Sequence, residues 1–526
     1  MRKPPVLSAC AVPVWRNLPT FLALLLALAA IWLTHHLAGQ IFEFLPHLED
    51  EIAYTWQAKV YARGALTVPS PVDEKSFMVP FVVDHNGQRF AKYPPGWPAL
   101  LAWGVRLGMR DWVNPFLAGL AIWWIYRLGK RHFSSGVGLL AATLTLSSPF
   151  FLLNSASLLS HPWSLVLTLA FLSAWLDLFF GDELPRSEAA LRVLVAGLSL
   201  GALVITRPLT AVGVALPFFG HGLSLLLFAP RRRVQVLSIG LLTLLPALLL
   251  PLWQYAVTGD PWLNPYTLWW PYDKVGFGEG YGRQEGGHSL FWAWINLKVS
   301  LAAGARDLFG WGEISWLFLP FGLAYWLQRP HKTPRFLIFS IAPSLILVYL
   351  AYWIGAELFG PRYYYEGLVS AVLCTAAGIF WLFEMPLQNG RIFHRLATVF
   401  LLLGLIAYNL SFALPSRLEG MKGLYGIRRA YIDALSDPGI SPPLQTPALI
   451  FIPIHETWTE YGTFLDLEDP WLTSPWIFSV ARGSADQKVK AAFPERFVYY
   501  CEVEKQIVRC RLDRPPLSRE PLQSTP

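Results

Sequence analysis

The chain has 526 residues, of which 54% are hydrophobic, 15% aromatic and only 15% charged, against about 25% charged in ordinary soluble domains. That balance excludes a water-soluble enzyme of the usual kind and makes a bilayer the solvent for most of the chain. The net charge of +7 comes from bases gathered in a few loops, so it speaks of membrane topology and not of nucleic acid.

The first element is the run "TFLALLLALAAIWLTHHLA", Thr20 to Ala38, long enough to cross a hydrocarbon core. It lacks a small-residue cleavage site before a soluble domain and reads as a retained span. Next comes "HLEDEIAYTWQAKVYARG", 47–64, a short helix opened by Glu49, Asp50 and Glu51. Asp50 alone could be that helix's N-cap. The segment "GWPALLAWGVRLGMR", 96–110, is too short to cross and fits a helix lying in the interface.

Hydropathy then marks further spans at 112–128, 136–153, 163–180, 191–206, 208–228, 234–257, 314–328, 336–356, 364–384 and 396–414, about eleven in all. Bases cluster at Arg2, Lys3 and Arg16, in "GKRHF" (129–133), "RRR" (231–233), "RPHKTPR" (329–335) and "NGRIFHR" (389–395). With the N-terminus in the cytoplasm every one of these loops falls inside, as the positive-inside rule asks. The opposite loops, and a C-terminus reached after an odd number of spans, are then extracytoplasmic. The expected location is the plasma (inner) membrane.

From about Pro415 the composition changes. Prolines 438, 442, 443 and 447 separate strand-like runs, "ALIFIPI" (448–454) and "RFVYYCEVEKQIVRCRL" (496–512), which predicts a small extracytoplasmic α+β or β-rich domain over 415–526 behind a membrane domain over 1–414. Four cysteines are too few for a disulfide scaffold. Cys10 is expected in the cytoplasm and Cys374 inside a span. A hairpin turning at Glu504–Ile507 would set Cys501 opposite Cys510, able to pair in an oxidising compartment.

Candidate site residues come from several separate parts of the chain but share one membrane face. They are Asp50, Glu51 and Tyr54, Lys92 in "KYPPGWP", His161 in "NSASLLSHPW", Arg207 in "ITRPLTAV", and Arg362 and Tyr363 in "FGPRYYYEG". Charge beside or inside a span costs about 2.5–3.5 kcal/mol on insertion scales, so its convergence points to function. Arg207 is the most telling, since it stands at a helix break, and broken backbone at membrane depth is tolerated where it is buried or lines a cavity. Each has a plainer reading: a snorkelling Lys92, an aromatic-belt Arg362, a capping His161. The loop 258–313, rich in Trp and Gly with Asp273 and His288, suits acceptor contact or a lid. "GFGEGYG" (276–282) lacks the strand and GK[ST] of a phosphate loop.

The first-loop "DE" with a nearby tyrosine, "KYPPGWP", "ITRPLT" and "GPRYYYE" together resemble polytopic glycosyltransferases of the GT-C superfamily, the group of the protein O-mannosyltransferases (glycosyltransferase family 39) and the aminoarabinose transferases. The resemblance covers most of 18–414. It implies a helical GT-C bundle and transfer of a sugar from a polyprenyl-phosphate donor to an acceptor hydroxyl, lipid, glycan or protein, with no cofactor and no metal. It makes Asp50 catalytic, with Glu51 beside it, and matches Lys92 to a "KPP" base, with Tyr93 inserted here. Where many relatives carry a second acid in loop two, this chain has His161. Arg binds phosphate bidentately and Lys supplies a point charge, which suits Lys92, Arg207 and Arg362 to a phosphate leaving group. One carboxylate base suffices for inversion. The alternative is a transporter or flippase of a lipid-linked sugar, which should show symmetric halves broken at the midplane.

Overall fold

The structure is a computed structural model that describes residues 12–328, 332–385, 391–435, 444–455, 457–504 and 507–517. Arg2, Lys3, Cys10, residues 329–331 with Arg329, residues 389 and 390, and prolines 438, 442 and 443 lie outside the described residues.

All eleven apolar runs contain helix, but they are unequal. Among the described residues seven helices are long and apolar enough to cross a membrane: Asn17–Gln40, His161–Phe180, Arg186–Val204, Pro208–Phe228, Pro230–Thr258, Arg362–Glu384 and Ile392–Glu419. An eighth is the pair Ser135–Leu146 and Pro149–Ala156, bent by 60°, where Ser148 caps the second helix and Pro149 cannot continue the first. The remaining runs fall short for separate reasons. Val113–His132 ends in Arg127, Lys130 and Arg131, Leu319–Gln328 has ten residues, and the apolar part of the next helix is Thr333–Tyr349. The count of eleven is therefore revised to seven or eight by length and composition.

Two helices run through the middle of the bundle, His161–Phe180 and Arg362–Glu384, with 78% and 72% of their apolar windows buried. Pro230–Thr258 and Ile392–Glu419 bury only 11%. Side chains such as Phe21, Trp32 and Phe400, at 56%, 65% and 68% exposure, form an apolar exterior suited to lipid. Inside, small residues let backbones meet. A Cβ on Gly129 would stand 2.4 Å from the Cα of Gly138, the close approach typical of membrane helix pairs.

At one end of the bundle lies a three-stranded antiparallel sheet. Its hairpin, Val82–His85 with Gln88–Ala91, turns through Asn86-Gly87. Both turn residues have positive φ, the conformation that makes Asn-Gly the preferred tight turn. Lys92 follows this hairpin directly, and its amide donates to the Phe81 carbonyl.

The second sheet has the order Trp476–Ala481, Ala448–Pro453, Phe497–Glu504, Ile507–Arg514. Its first three strands are parallel and the last pair is an antiparallel hairpin. Glu504 opposes Ile507 and Cys501 opposes Cys510 in the register expected from sequence, and the two cysteines form a disulfide. Cys374 is free and buried.

This sheet does not stand apart from the membrane part. Phe77 of the first loop is buried in the core made by Leu449, Phe451, Ile477 and Val498, and the Val480 amide donates to the Ser76 carbonyl at 2.8 Å. Lys59 donates to the carbonyls of Asp466 and Glu468, and Arg110 pairs with Asp466 at 2.5 Å. The C-terminal sheet and the first loop therefore share one face of the bundle, the end of the first helix at Gln40.

Candidate active site

The helix Glu49–Ala62 starts where its acids can be used. Successive residues on an α-helix point about 100° apart, so three neighbouring acids cannot share one surroundings. Glu51 turns inward and is fully buried. Its Oε2 accepts from the amides of His47 (2.9 Å) and Leu48 (3.0 Å), and its Oε1 accepts from the Leu158 amide at 2.6 Å. It satisfies the orphan donors of the helix start and fastens them to loop two. Asp50 is therefore not the cap of this helix, and Glu51 does not reach the cavity.

Glu49 and Asp50 face a cavity of about 480 Å³ walled by residues from the stretches 49–94, 206–209, 250–275 and 349–363 and by His161. Asp50 Oδ1 accepts from the Tyr93 hydroxyl and Oδ2 from Arg362 Nη1 at 3.1 Å. Burial works to raise this carboxyl's pKa, but Arg362, Tyr93 and Lys92 prevail and hold it below its usual value. The inserted Tyr93 thus has a definite place, donating to the acid that the first-loop motif singles out.

Lys92 is buried on the far wall. Its ammonium lies 3.1 Å from Asp273 Oδ2 and 3.7 Å and 4.6 Å from the ring centres of Phe81 and Trp270, a cation–π enclosure. Burial lowers its pKa against the pull of Asp273 and Asp50. Asp273 is itself held by the Tyr352 hydroxyl (2.9 Å) and Trp353 Nε1 (3.0 Å). The loop after 258 thus contributes an acid that neutralises Lys92.

Arg207 sits in the break between Arg186–Val204 and Pro208–Phe228. The break is locked from the first loop, since the Gly96 amide donates to the Ile205 carbonyl and a Cβ on Gly96 would stand 2.7 Å from that oxygen. The guanidinium donates to Thr210 Oγ1 (3.1 Å), Tyr349 Oη (3.4 Å) and His161 Nε2 (2.9 Å). Because arginine only donates, Nε2 accepts and His161 carries its proton on Nδ1. Behind Arg207, 3.7 Å from its Nε, lies the fully buried Glu366, which also accepts from Ser164.

Tyr54 and Tyr363 also line the cavity. Tyr54 Oη is 3.4 Å from Ser160 Oγ, and Tyr363 stacks on Tyr349 with ring centres 5.1 Å apart. His288 does not line it. Its Nε2 is 2.9 Å from the Leu350 carbonyl, its ring stacks on Phe277 and its carbonyl accepts from the Gly278 amide, so it fastens the Gly-rich loop. The sequence reading passed over Glu49, Tyr266 and Tyr352, which line the cavity, and Glu366 behind it. Glu366 was visible as the acid closing "PRYYYEG"; Tyr266 and Tyr352 carried no signal beyond aromatic density.

No protein-family model matches the chain, and no curated protein matches it. Solved structures match its fold. ArnT from Cupriavidus metallidurans bound to undecaprenyl phosphate is 12% identical, with a TM-score of 0.56 over 93% of this chain and 94% of that one. The archaeal oligosaccharyltransferase AglB from Archaeoglobus fulgidus, in complex with an inhibitory peptide and a dolichol-phosphate, is 14% identical, with a TM-score of 0.51 over 90% of this chain and 69% of that one. The chain shares the fold of these structures, a polytopic helical bundle with a strand-containing C-terminal part.

Proposed function

We propose that the chain is a membrane glycosyltransferase that moves a sugar from a polyprenyl-phosphate donor to an acceptor hydroxyl at the extracytoplasmic face, with inversion. The observation that carries this reading is one cavity with a carboxylate, Asp50, on one wall and three bases, Lys92, Arg207 and Arg362, around it. The lipid phosphates held by the two structures of like fold, undecaprenyl and dolichol phosphate, support a donor of this class. A phosphate ester suits the guanidinium forks, and Asp50 takes the acceptor's proton as the hydroxyl oxygen attacks the anomeric carbon. The bond from that carbon to the phosphate oxygen breaks, and the lipid phosphate leaves with its electron pair. Glu51 positions the helix that carries Asp50. Gathering of the charges at one end of the bundle favours this reading over a transporter with a midplane site.

The bases of the intervening loops support a cytoplasmic N-terminus in the plasma (inner) membrane, and an odd number of crossings then sets the outer sheet, within 415–526, on the extracytoplasmic side. The test is Asp50→Asn, which keeps the size of the side chain and removes the base. Transfer from a polyprenyl-phosphate sugar should fall by roughly 10²–10⁴-fold with the melting temperature unchanged. Near-normal turnover by the folded variant would remove Asp50 from the mechanism.

A further inference from the structure

Three acid–base pairs stand in or against the cavity wall, and they are held with unequal firmness. Lys92 is 2% exposed, enclosed by rings, and its partner Asp273 is tied by two further donors. Arg207 is fixed by Thr210, His161 and Tyr349 in front of Glu366. Arg362 differs from both. Among the described residues its side chain has one hydrogen-bond partner, Asp50, which engages one of five N–H groups. Its side chain and that of Asp50 are 18% and 19% exposed, and both line the cavity. This is the pair that can exchange partners without unmaking a buried network. It also covers the proposed base, because Asp50 has one oxygen on Arg362 and the other on Tyr93.

We propose that Arg362 is shared between Asp50 and the phosphate of the donor: it covers the carboxylate in the empty cavity, and an entering phosphate ester draws it away, so that donor loading precedes use of Asp50 as a base. This rests on the reading of the cavity as a lipid-phosphate site. The charges move in step with the chemistry. The donor is a phosphodiester with one negative charge, and breaking its bond to the anomeric carbon leaves a monoester with up to two. The acceptor proton meanwhile neutralises Asp50, and the oxygen's freed electron pair forms the new glycosidic bond. Arg362, already drawn to the phosphate, meets the charge that the phosphate gains as Asp50 loses its own. Without donor the base stays covered.

The experiment titrates undecaprenyl phosphate into the full chain in nanodiscs and reads Kd for variants that melt as wild type does. A charge-assisted hydrogen bond that must be given up on binding weakens affinity by about tenfold. Asp50→Asn should therefore bind the lipid phosphate about tenfold more tightly than wild type, although it is the inactive variant. Asp50→Glu, which keeps the charge, should bind as wild type does. Arg362→Gln should bind about tenfold more weakly, and Asp50→Asn should bring no gain in that background. Equal or weaker binding by Asp50→Asn would overturn the proposal. So would an equal gain in the Arg362→Gln background, which would reduce the effect to removal of a negative charge. If folded wild type does not bind undecaprenyl phosphate at all, the lipid-phosphate reading falls and the sharing of Arg362 falls with it.

Discussion

Two regions of this protein bury charge, and they do it differently. At the seam between the first loop and the C-terminal sheet, Lys59 donates to two carbonyls, and Arg110 meets Asp466, Asp111 and the Phe44 carbonyl. Most of these donors are met by protein acceptors, two for Lys59 and three for Arg110. In the cavity the same types of residue leave donors over, as Arg362 does, and the walls enclose about 480 Å³. Unspent hydrogen-bonding capacity beside an open volume is what separates Arg362 from the fastenings of the seam. Both regions grow from the helix Glu49–Ala62, one from its first turn and the other from Lys59 in its last.

The comparison breaks most visibly at the seam. Lys59→Met strands two carbonyls and should lower stability by about 3–5 kcal/mol, seen as a lower melting temperature, while lipid-phosphate affinity of the folded fraction stays unchanged. A variant that melts normally but binds donor poorly would move Lys59 from the seam to the site.

The next largest effect is one of pH. Burial raises Glu468 of the seam to about 7 from an ordinary 4.5, with Arg89 and Lys59 pulling the other way. The folded protein then binds more protons than the unfolded chain between those values. The stability contributed by this group is complete below about 4.5 and is lost as pH rises through about 7, by up to about 3 kcal/mol. Melting temperatures of Glu468→Gln and wild type should diverge in favour of the variant as pH goes from 4.5 to 8, and parallel curves would show that Glu468 is ionised throughout.

The smallest effect lies in the cavity. Arg362→Lys keeps the charge and loses the planar fork, so undecaprenyl phosphate should bind about tenfold more weakly with no change in melting temperature. Unchanged affinity together with a lower melting temperature would place Arg362 among the fastenings.

Much of the architecture was legible in the chain because it depends on near neighbours. Apolar runs of sufficient length become helices in lipid, whose backbone groups must pair internally. Pro149 and Pro208 mark helix starts for local steric reasons, and the equal spacing of Cys501 and Cys510 about a turn defines their register. The hairpin at Asn86-Gly87 was equally available and went unread. Fewer helices than the eleven marked runs have the length and composition of a span, because Leu319–Gln328 ends after ten residues, Thr333–Tyr349 is short and Val113–His132 ends in bases.

Sequence by itself determined that Asp50, Lys92, Arg207 and Arg362 fall at one end of the bundle, since each adjoins an apolar run and crossing order sorts such junctions between two faces. Only the tertiary structure decided which of them touch. Asp50 and Arg362 are 312 positions apart and meet at 3.1 Å. Glu51, one residue from Asp50, is carried away by the helical rotation of about 100° per residue and spent on three backbone amides. His288 became a loop fastening and Asp273 the partner of Lys92 for the same reason: side-chain chemistry is written in the chain, but the partner that completes it is supplied by packing between segments far apart in sequence.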